Sequence, residues 1–257
     1  PDYRSLLREN LDALVVCLTN DIAPEVVMAG LERGLHVFCE KPPGRSVADI
    51  QRVIACESQH PSLKLMYGFN HRYHPALLKA KQMVDNGDIG ELMYIRSRYG
   101  HGGRIGYDRE WRADPNLAAG GELVEQGIHI IDLARWFMGS FTQVEGFATT
   151  SFWDQVLDDN AFMTLRTEDK KTAFMHVSCT EWKNTFSLEL YFKHAKFHWE
   201  GLGGSYGTER LYYYKMTEEM GPPDTEIYEF PKQDNSWKIE LNEFISDIKL
   251  KRIPNPG

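Results

Sequence analysis

The sequence predicts an α/β protein in which a partial parallel sheet is followed by an α+β domain with a large, mainly antiparallel open sheet. The first 69 residues alternate short apolar runs with amphipathic stretches, which is typical of strands joined by helical crossovers. From residue 142 to residue 228, short β-prone runs dominate, with turn residues between them. The change of pattern near Phe69 predicts one domain over residues 1–69 and a second over residues 70–257.

The first domain opens with a continuous apolar run, ALVVCL at residues 13–18, which predicts a strand buried on both faces. Thr19 and Asn20 supply helix-capping side chains, and Gly34 ends the helix expected over residues 23–33. The pattern continues with a strand at 35–39, a helix at 46–58 and a strand at 64–69. Strands that alternate with helices in this way predict a parallel sheet with right-handed crossovers.

The second domain is expected to begin with helices and a long loop before its β-rich part. These elements are a helix at 74–86, a strand at 92–99 and a Gly-rich loop at 100–120. The strongly apolar stretch at 121–137 predicts a single helix, and an amphipathic helix is expected at 237–250.

The composition excludes several classes of function. The chain has 257 residues, 42% of them hydrophobic, and a formal net charge of −8, which argues against nucleic-acid phosphates as partners. No apolar run is long enough to span a bilayer, so no membrane partner is expected. The four cysteines lack metal-ligand spacing, which favours inert buried thiols in a reducing cytoplasm. Pro1 leads directly into a helical pattern without an initiator methionine, so we expect an internal segment of a longer protein.

The sequence CEKPPG at residues 39–44 places charged residues where a buried strand ends. In an open parallel sheet, ligands bind beyond the carboxyl ends of the strands. Lys41 is therefore expected either beside a ligand, where its ammonium can donate hydrogen bonds to a substrate oxygen, or in solvent as an ordinary loop residue.

Three titratable residues follow one another on the predicted apolar helix. Glu125 and His129 are four residues apart and Asp132 comes three residues later, so a continuous helix would place them on or near one face. An imidazole beside a carboxylate is a plausible general acid/base, because the carboxylate sets its tautomer and raises its pKa. The same spacing also suits a buried core histidine with a surface ion pair. No metal site is expected, because no third ligand has suitable spacing.

Two more clusters mix cationic and aromatic side chains. They are NHRYH at residues 70–74 and REWR at residues 109–112. Such groups suit sugar hydroxyls, carboxylates or phosphates, although loop charges are usually only solvated.

The chain carries, in order, the motifs VVCLTN, GLHVFCEKPPGRS, YGFNHRYHP, EWRADP and GGELVEQGIHIIDLARWFMG. Together these motifs resemble the glucose–fructose oxidoreductase / inositol dehydrogenase (Gfo/Idh/MocA) family of NAD(P)-dependent oxidoreductases over almost the whole chain. The resemblance implies that residues 1–69 are the C-terminal half of a dinucleotide-binding Rossmann domain. Residues 70–257 would form the substrate-binding domain, whose open sheet would join the chains of a homodimer or homotetramer.

The resemblance also implies roles for individual residues. Lys41 would contact both the nicotinamide ribose and the reacting substrate oxygen, and its bond to Pro42 would be cis. His129 would be the acid/base, with Glu125 as a further catalytic residue. The residues implied to contact the cofactor, NAD or NADP, are Thr19, Asn20, Glu40, Lys41, Trp111 and Arg112. Those implied to face a small polyhydroxylated substrate are Asn70, Arg72, Glu125 and His129.

Two departures from the family pattern matter. Glu125 stands where the family often has aspartate, so its carboxylate reaches one methylene further. No GxGxxG motif is present, and a pyrophosphate needs the free N–H groups of such a glycine turn. This segment is therefore expected to bind a dinucleotide poorly.

The activity that the resemblance implies is hydride transfer between nicotinamide and a secondary alcohol or ketone of a sugar, sugar derivative or cyclitol. Three alternatives stay open from the residues. The first is a ligand-sensing or interaction protein of the same fold that does not turn its ligand over. The second is a hydrolase or lyase that uses Glu125 and His129 around a metal or bound cofactor. The third is a structural or interaction fragment.

Overall fold

A computed structural model describes residues 2–254, so Pro1 and residues 255–257, at the two ends of the chain, lie outside it. Three parallel strands form the first sheet in the order β1 (Ala13–Val16), β2 (His36–Glu40) and β3 (Leu65–Gly68). Helix α1 (Tyr3–Leu6) precedes the sheet. Helix α2 (Ala23–Glu32) connects β1 to β2, and α3 (Val47–Ser58) connects β2 to β3. The predicted partial parallel sheet is confirmed.

Local chemistry explains where these helices begin and end. The Ser46 hydroxyl accepts a hydrogen bond from the Asp49 N–H at 3.2 Å, which caps α3 at its N-terminus. Gly34, at φ +85°, turns the chain out of α2 through the left-handed region that favours glycine. Of the expected buried thiols, Cys39 and Cys179 are buried, whereas Cys17 is exposed because it lies beyond the end of β1.

After β3 the chain leads toward a second sheet. A 3₁₀ segment (Asn70–Tyr73) leads into α4 (Pro75–Asn86) and β4 (Leu92–Gly100), and a long loop with two 3₁₀ turns follows. The single helix predicted at 121–137 is wrong, because the structure has two helices there, α5 (Glu122–Glu125) and α6 (Gly127–Met138). At the break, the His129 N–H bonds to the Gln126 carbonyl at 3.1 Å instead of to the Glu125 carbonyl.

The second sheet has eight strands, and its predicted large, mainly antiparallel character is confirmed. The remaining strands are β5 (Phe141–Thr149), β6 (Asn160–Thr167), β7 (Thr172–Ser178), β8 (Thr185–Phe192), β9 (Ala195–Glu200), β10 (Glu209–Lys215) and β11 (Asp224–Phe230). Their order is β11-β10-β9-β8-β4-β7-β6-β5, and only the β4–β7 pair is parallel.

The two faces of this sheet differ in what covers them. The inner face packs against α4 and α6 in the largest core, which includes Leu77, Ile130, Leu133 and Met175. The outer face leaves large side chains exposed, among them Tyr94, Phe147 and Phe174. Alternating side chains along the strands therefore lie on a buried face and on a solvent-exposed face of the sheet.

The last helix, α7 (Ser236–Leu250), returns to the first sheet. Phe244 packs edge-to-face on Phe38, with ring centroids 5.8 Å apart, and Met66 and Tyr73 complete this small core. The helix therefore lies over the first sheet and the 3₁₀ segment, beside the cavity described next. None of the helices in residues 2–254 is long and apolar enough to cross a membrane.

Candidate active site

A cavity of about 220 Å³ lies where the carboxyl end of β2 meets α6 and the second sheet. Lys41 and His129, far apart in the sequence, both line it, together with His71 and Tyr206. A wider cavity of about 540 Å³ shares Gln126, Ser205 and Tyr206 with it and extends along the long loop. Lys41 and His129, the two residues singled out from the sequence, thus line the same cavity.

Lys41 follows the last residue of β2, and its peptide bond to Pro42 is cis. Its ammonium donates a hydrogen bond to the Glu125 carbonyl at 2.7 Å and lies 3.4 Å from Oε2 of the same residue. Only 18% of the lysine side chain is exposed, so water competes little for the ammonium. These contacts hold the charge at one place in the cavity wall.

Glu125 sits between two cations. Its Oε2 is 3.4 Å from Lys41 Nζ and 3.8 Å from Arg112 Nε, whereas its Oε1 is buried without a hydrogen-bond partner. An unpartnered oxygen on a buried carboxylate can still accept a hydrogen bond from a ligand hydroxyl.

His129 lies on α6 and is only 4% exposed. Its ring stacks on that of His71, with centroids 3.8 Å apart and planes 17° apart. Burial lowers the pKa of His129 well below its ordinary value, and the positive charges of nearby groups, including Lys41, add to that effect. The neutral imidazole is therefore the resting form.

The carboxylates expected beside His129 lie elsewhere. Because the helix breaks at Gln126, Glu125 belongs to α5 and turns toward Lys41, while His129 belongs to α6. Asp132 binds Arg72 instead. No carboxylate sets the tautomer of His129 within residues 2–254, and the pKa of the imidazole is lowered rather than raised.

Arg72 does not share the cavity of Lys41 and His129. Its guanidinium makes two hydrogen bonds to Asp132, at 2.5 and 2.7 Å, and packs over the Trp136 ring at 5.1 Å. All three residues line a different cavity of about 680 Å³. The expectation that Arg72 faces the substrate stays a prediction; in this structure, a buried acid on α6 pairs with the guanidinium.

Asn70 lines the cavity, but both ends of its amide are already used. Its Nδ2 donates to the Ser236 hydroxyl at 2.9 Å, and its Oδ1 lies 3.1 Å from His71 Nδ1. With 5% exposure, the amide supports neighbouring side chains.

The residues expected to contact a cofactor lie at the carboxyl ends of β1 and β2 or in the long loop. Asn20 is 3% exposed and its Nδ2 has no partner, which is the state of a donor that a bound ligand would satisfy. Glu40 ends β2, and burial raises the pKa of its carboxyl. Arg112 lies over the Trp111 ring at 4.5 Å. With Thr19 beside Asn20, these donors and acceptors have the chemistry that nicotinamide and ribose require, and the sequence contains no GxGxxG motif for a pyrophosphate.

Two features of the site escape the sequence. His71 was part of the NHRYH cluster, but nothing in its spacing indicates a stack on His129. Tyr206 reaches the cavity from the loop after β9, and the surrounding Gly203, Gly204 and Gly207, all at positive φ, are the only local signal for it. No group of three or more His, Cys, Asp or Glu residues suited to a metal ion occurs in residues 2–254.

Comparisons with known proteins identify relatives of this chain. Residues 1–69 match the model of an oxidoreductase family with an NAD-binding Rossmann fold, and residues 77–198 match the GFO/IDH/MocA C-terminal domain. The chain is 31% identical to the oxidoreductase YrbE of Bacillus subtilis over 176 residues, which are 65% of this chain and 49% of that protein. It is 35% identical to the myo-inositol 2-dehydrogenase of Thermotoga maritima over 132 residues, which are 51% of this chain and 37% of that protein.

A solved levoglucosan dehydrogenase, in complex with NADH and levoglucosan, shares the fold with a TM-score of 0.88 at 19% identity. That match covers 100% of this chain and 76% of the other. The matched segments span about half the length of the curated relatives or less. Two models of one family, matched in order over residues 1–69 and 77–198, identify the chain: it belongs to the Gfo/Idh/MocA family of oxidoreductases.

Proposed function

We propose that the protein is an NAD(P)-dependent oxidoreductase that moves a hydride between nicotinamide and a secondary alcohol or ketone of a sugar, sugar derivative or cyclitol. The observation that carries this proposal is the single cavity lined by Lys41 and His129 at the carboxyl end of a parallel sheet. The relatives support the substrate class, since two of them are named as dehydrogenases of myo-inositol and of levoglucosan.

Lys41 would stabilise the reacting oxygen. Its ammonium is anchored on the Glu125 carbonyl, which leaves N–H donors for a substrate hydroxyl or carbonyl in the cavity. A fixed positive charge in a site that excludes water favours the charge that develops on that oxygen. The nearby Glu125 carboxylate balances this charge, and its unpartnered Oε1 would orient a second hydroxyl of the substrate.

His129 would exchange the proton. Burial holds its imidazole neutral, so it can accept the hydroxyl proton during oxidation. In the reverse direction, the protonated ring would return that proton to the forming alkoxide. Lys41 acts through charge and orientation alone in this scheme.

The cofactor would supply the acceptor or donor of the hydride at nicotinamide C4. Thr19, Asn20 and Glu40 would hold the nicotinamide and ribose, with Trp111 and Arg112 at the far side. Asn20 is the best supported of these, because its buried Nδ2 lacks a partner.

We also propose a homodimer or homotetramer that assembles through the outer face of the large sheet. The exposed aromatic side chains Tyr94, Phe147 and Phe174 on that face support the proposal. Four cysteines, all free, support a reducing compartment, which we propose is the cytoplasm. Light scattering coupled to gel filtration would test the assembly, and a monomer would contradict it.

A panel of sugars and cyclitols, each offered with NAD⁺ or NADP⁺, would test the activity by the absorbance of the reduced nicotinamide. We expect turnover with at least one polyhydroxylated substrate and its loss in His129→Asn. Binding of a polyol without turnover would instead support the ligand-sensing alternative, and activity lost to a chelator would support the metal-dependent one.

A further inference from the structure

The acid/base histidine of the proposed site is oriented without a hydrogen bond to a carboxylate. His129 Nδ1 is buried and has no partner within residues 2–254. In most sites of this kind, a carboxylate or carbonyl bonded to that nitrogen fixes the tautomer and the plane of the ring. Here the plane of the imidazole must be set by packing.

His71 supplies the largest part of that packing. The two imidazoles are nearly parallel, at 17°, with centroids 3.8 Å apart, and each residue is 4% exposed. Phe69 and Tyr99 meet the His129 ring closer to edge-on, at 6.1 and 6.3 Å. One full face of the His129 ring therefore rests on His71.

His71 is itself fixed by hydrogen bonds. Asn70 donates from Nδ2 to the Ser236 hydroxyl, so its Oδ1 is the atom that faces His71 Nδ1 at 3.1 Å. A carbonyl oxygen can only accept, which places the proton of His71 on Nδ1 and leaves Nε2 bare. The Ser236 N–H in turn donates to Asp234 at 2.8 Å, so the support extends to the loop before α7.

The stack also bears on charge. His71 is buried and its pKa is lowered well below the ordinary value, first by burial and then by the positive charges of His74 and Lys41. The other groups that face His129 across the cavity are Lys41, His74 and Tyr99. Two stacked imidazolium rings would repel each other, so a neutral His71 leaves His129 free to accept one proton.

We propose that His71 is a positioning residue for His129, in which a ring held by Asn70 and Ser236 takes the place of the carboxylate that usually orients a catalytic imidazole. The proposal rests on the proposed dehydrogenase function, because it assigns the reacting proton to His129. It predicts that catalysis depends more on a planar aromatic ring at position 71 than on a ring nitrogen there.

Two substitutions separate these properties. His71→Phe keeps the ring and loses the bond to Asn70, whereas His71→Leu loses the ring. We expect kcat to fall by less than about tenfold in His71→Phe and by about 100-fold in His71→Leu, with KM changed by less than about threefold in both. The proposal would be overturned if kcat of His71→Leu stayed within about twofold of the wild-type value, or if kcat fell equally in the two variants.

His176 provides the matched control. Its ring stacks on Phe162 at 4.3 Å and 6°, and its Nε2 lies 3.0 Å from Asn160 Oδ1, but it lies on the outer face of the sheet. His176→Leu therefore removes the same kinds of contact outside the cavity, and we expect it to leave kcat within about twofold in protein that keeps the wild-type oligomeric state by light scattering.

A second readout does not depend on activity. In the cofactor-free protein, nuclear magnetic resonance of ¹⁵N-labelled histidine should show His71 protonated on Nδ1, and the His129 ring protons should carry a ring-current shift. We expect that shift to persist in His71→Phe and to disappear in His71→Leu. An unchanged shift in folded His71→Leu would overturn the stack. If no substrate is turned over, the proposed function fails, and this measurement still decides the geometry.

Discussion

The ammonium of Lys41 lies 2.7 Å from the carbonyl oxygen of Glu125, an oxygen that a continuous helix would have bonded to the N–H of His129. The break between α5 and α6 frees that carbonyl, because the His129 N–H bonds to Gln126 instead. A main-chain acceptor thus holds the lysine while the second helix presents the histidine. The proposed chemistry depends on this local departure from helical geometry.

Replacing Lys41 with alanine should abolish most turnover while leaving the fold intact. We expect kcat to fall by about 10²–10⁴-fold, because the oxygen that reacts loses its fixed positive charge. Steady-state kinetics of Lys41→Ala would measure this, with Lys81→Ala as the control, since Lys81 pairs with Asp85 on the surface of α4. Near-normal turnover in Lys41→Ala would remove that residue from the mechanism.

Glu125→Gln should cost less than Lys41→Ala. The glutamine keeps the main-chain carbonyl that anchors Lys41 and removes only the carboxylate charge 3.4 Å away. We expect kcat to fall by about tenfold, with an increase in KM if Oε1 binds a substrate hydroxyl. A loss as large as that of Lys41→Ala would show that the carboxylate, and not the carbonyl, controls the lysine.

The pH dependence of oxidation should follow the lowered pKa of His129. A base must be neutral to accept a proton, and an imidazole whose pKa is lowered stays neutral further into acid. The acid limb of kcat/KM should therefore lie below about pH 6.5, the ordinary value for histidine. A profile of kcat/KM against pH checks this, and a limb at or above that value would contradict it.

Glu240 should make the folded protein less stable as the pH rises. The residue is fully buried without a hydrogen-bond partner, and burial, with the negative charges of Glu40 and Asp132, raises the pKa of its carboxyl to about 8. Between the unfolded value of 4.5 and 8, the folded state keeps a proton that the unfolded state releases, so the free energy of unfolding falls with pH.

Glu240→Gln should remove that loss. We expect it to raise the free energy of unfolding by about 1–4 kcal/mol at about pH 9 and to have little effect near pH 5. Urea denaturation at the two pH values would measure the difference, with the exposed Glu218→Gln as the control. An equal effect of Glu240→Gln at both pH values would contradict the assigned cause.

The Arg72–Asp132 pair should contribute to stability and little to substrate binding. Both side chains are largely buried, at 11% and 13% exposure, so Arg72→Ala would leave a buried carboxylate without its partner. We expect a loss of about 3–5 kcal/mol in the free energy of unfolding, with KM nearly unchanged in the protein that remains folded. A large rise in KM with unchanged stability would return Arg72 to the substrate site.

Both sheets could be predicted because apolar periodicity is a local signal, and the meeting of Lys41 with His129 was implied by the family resemblance of the motifs. The sequence did not predict the break at Gln126, since residues 121–137 have the apolar pattern of one helix throughout. The Lys41–Glu125 contact joins residues 84 positions apart, and the Arg72–Asp132 contact joins residues 60 positions apart. Such contacts arise from tertiary packing, which periodicity does not describe. The Asp132 partner of Arg72 was not predicted for the same reason, because it lies on another helix.

The return of α7 to the first sheet has a consequence for how the chain is made. Phe38 and Met66 belong to a core that Phe244 completes, so one face of the first sheet stays partly uncovered until α7 has been synthesised. A cut after residue 69 would not release an autonomous folding unit, since it would strip one face of the small sheet of its cover. Truncation before residue 236 should leave an aggregation-prone, protease-sensitive product, because the apolar face that α7 covers is then exposed even though every strand is present.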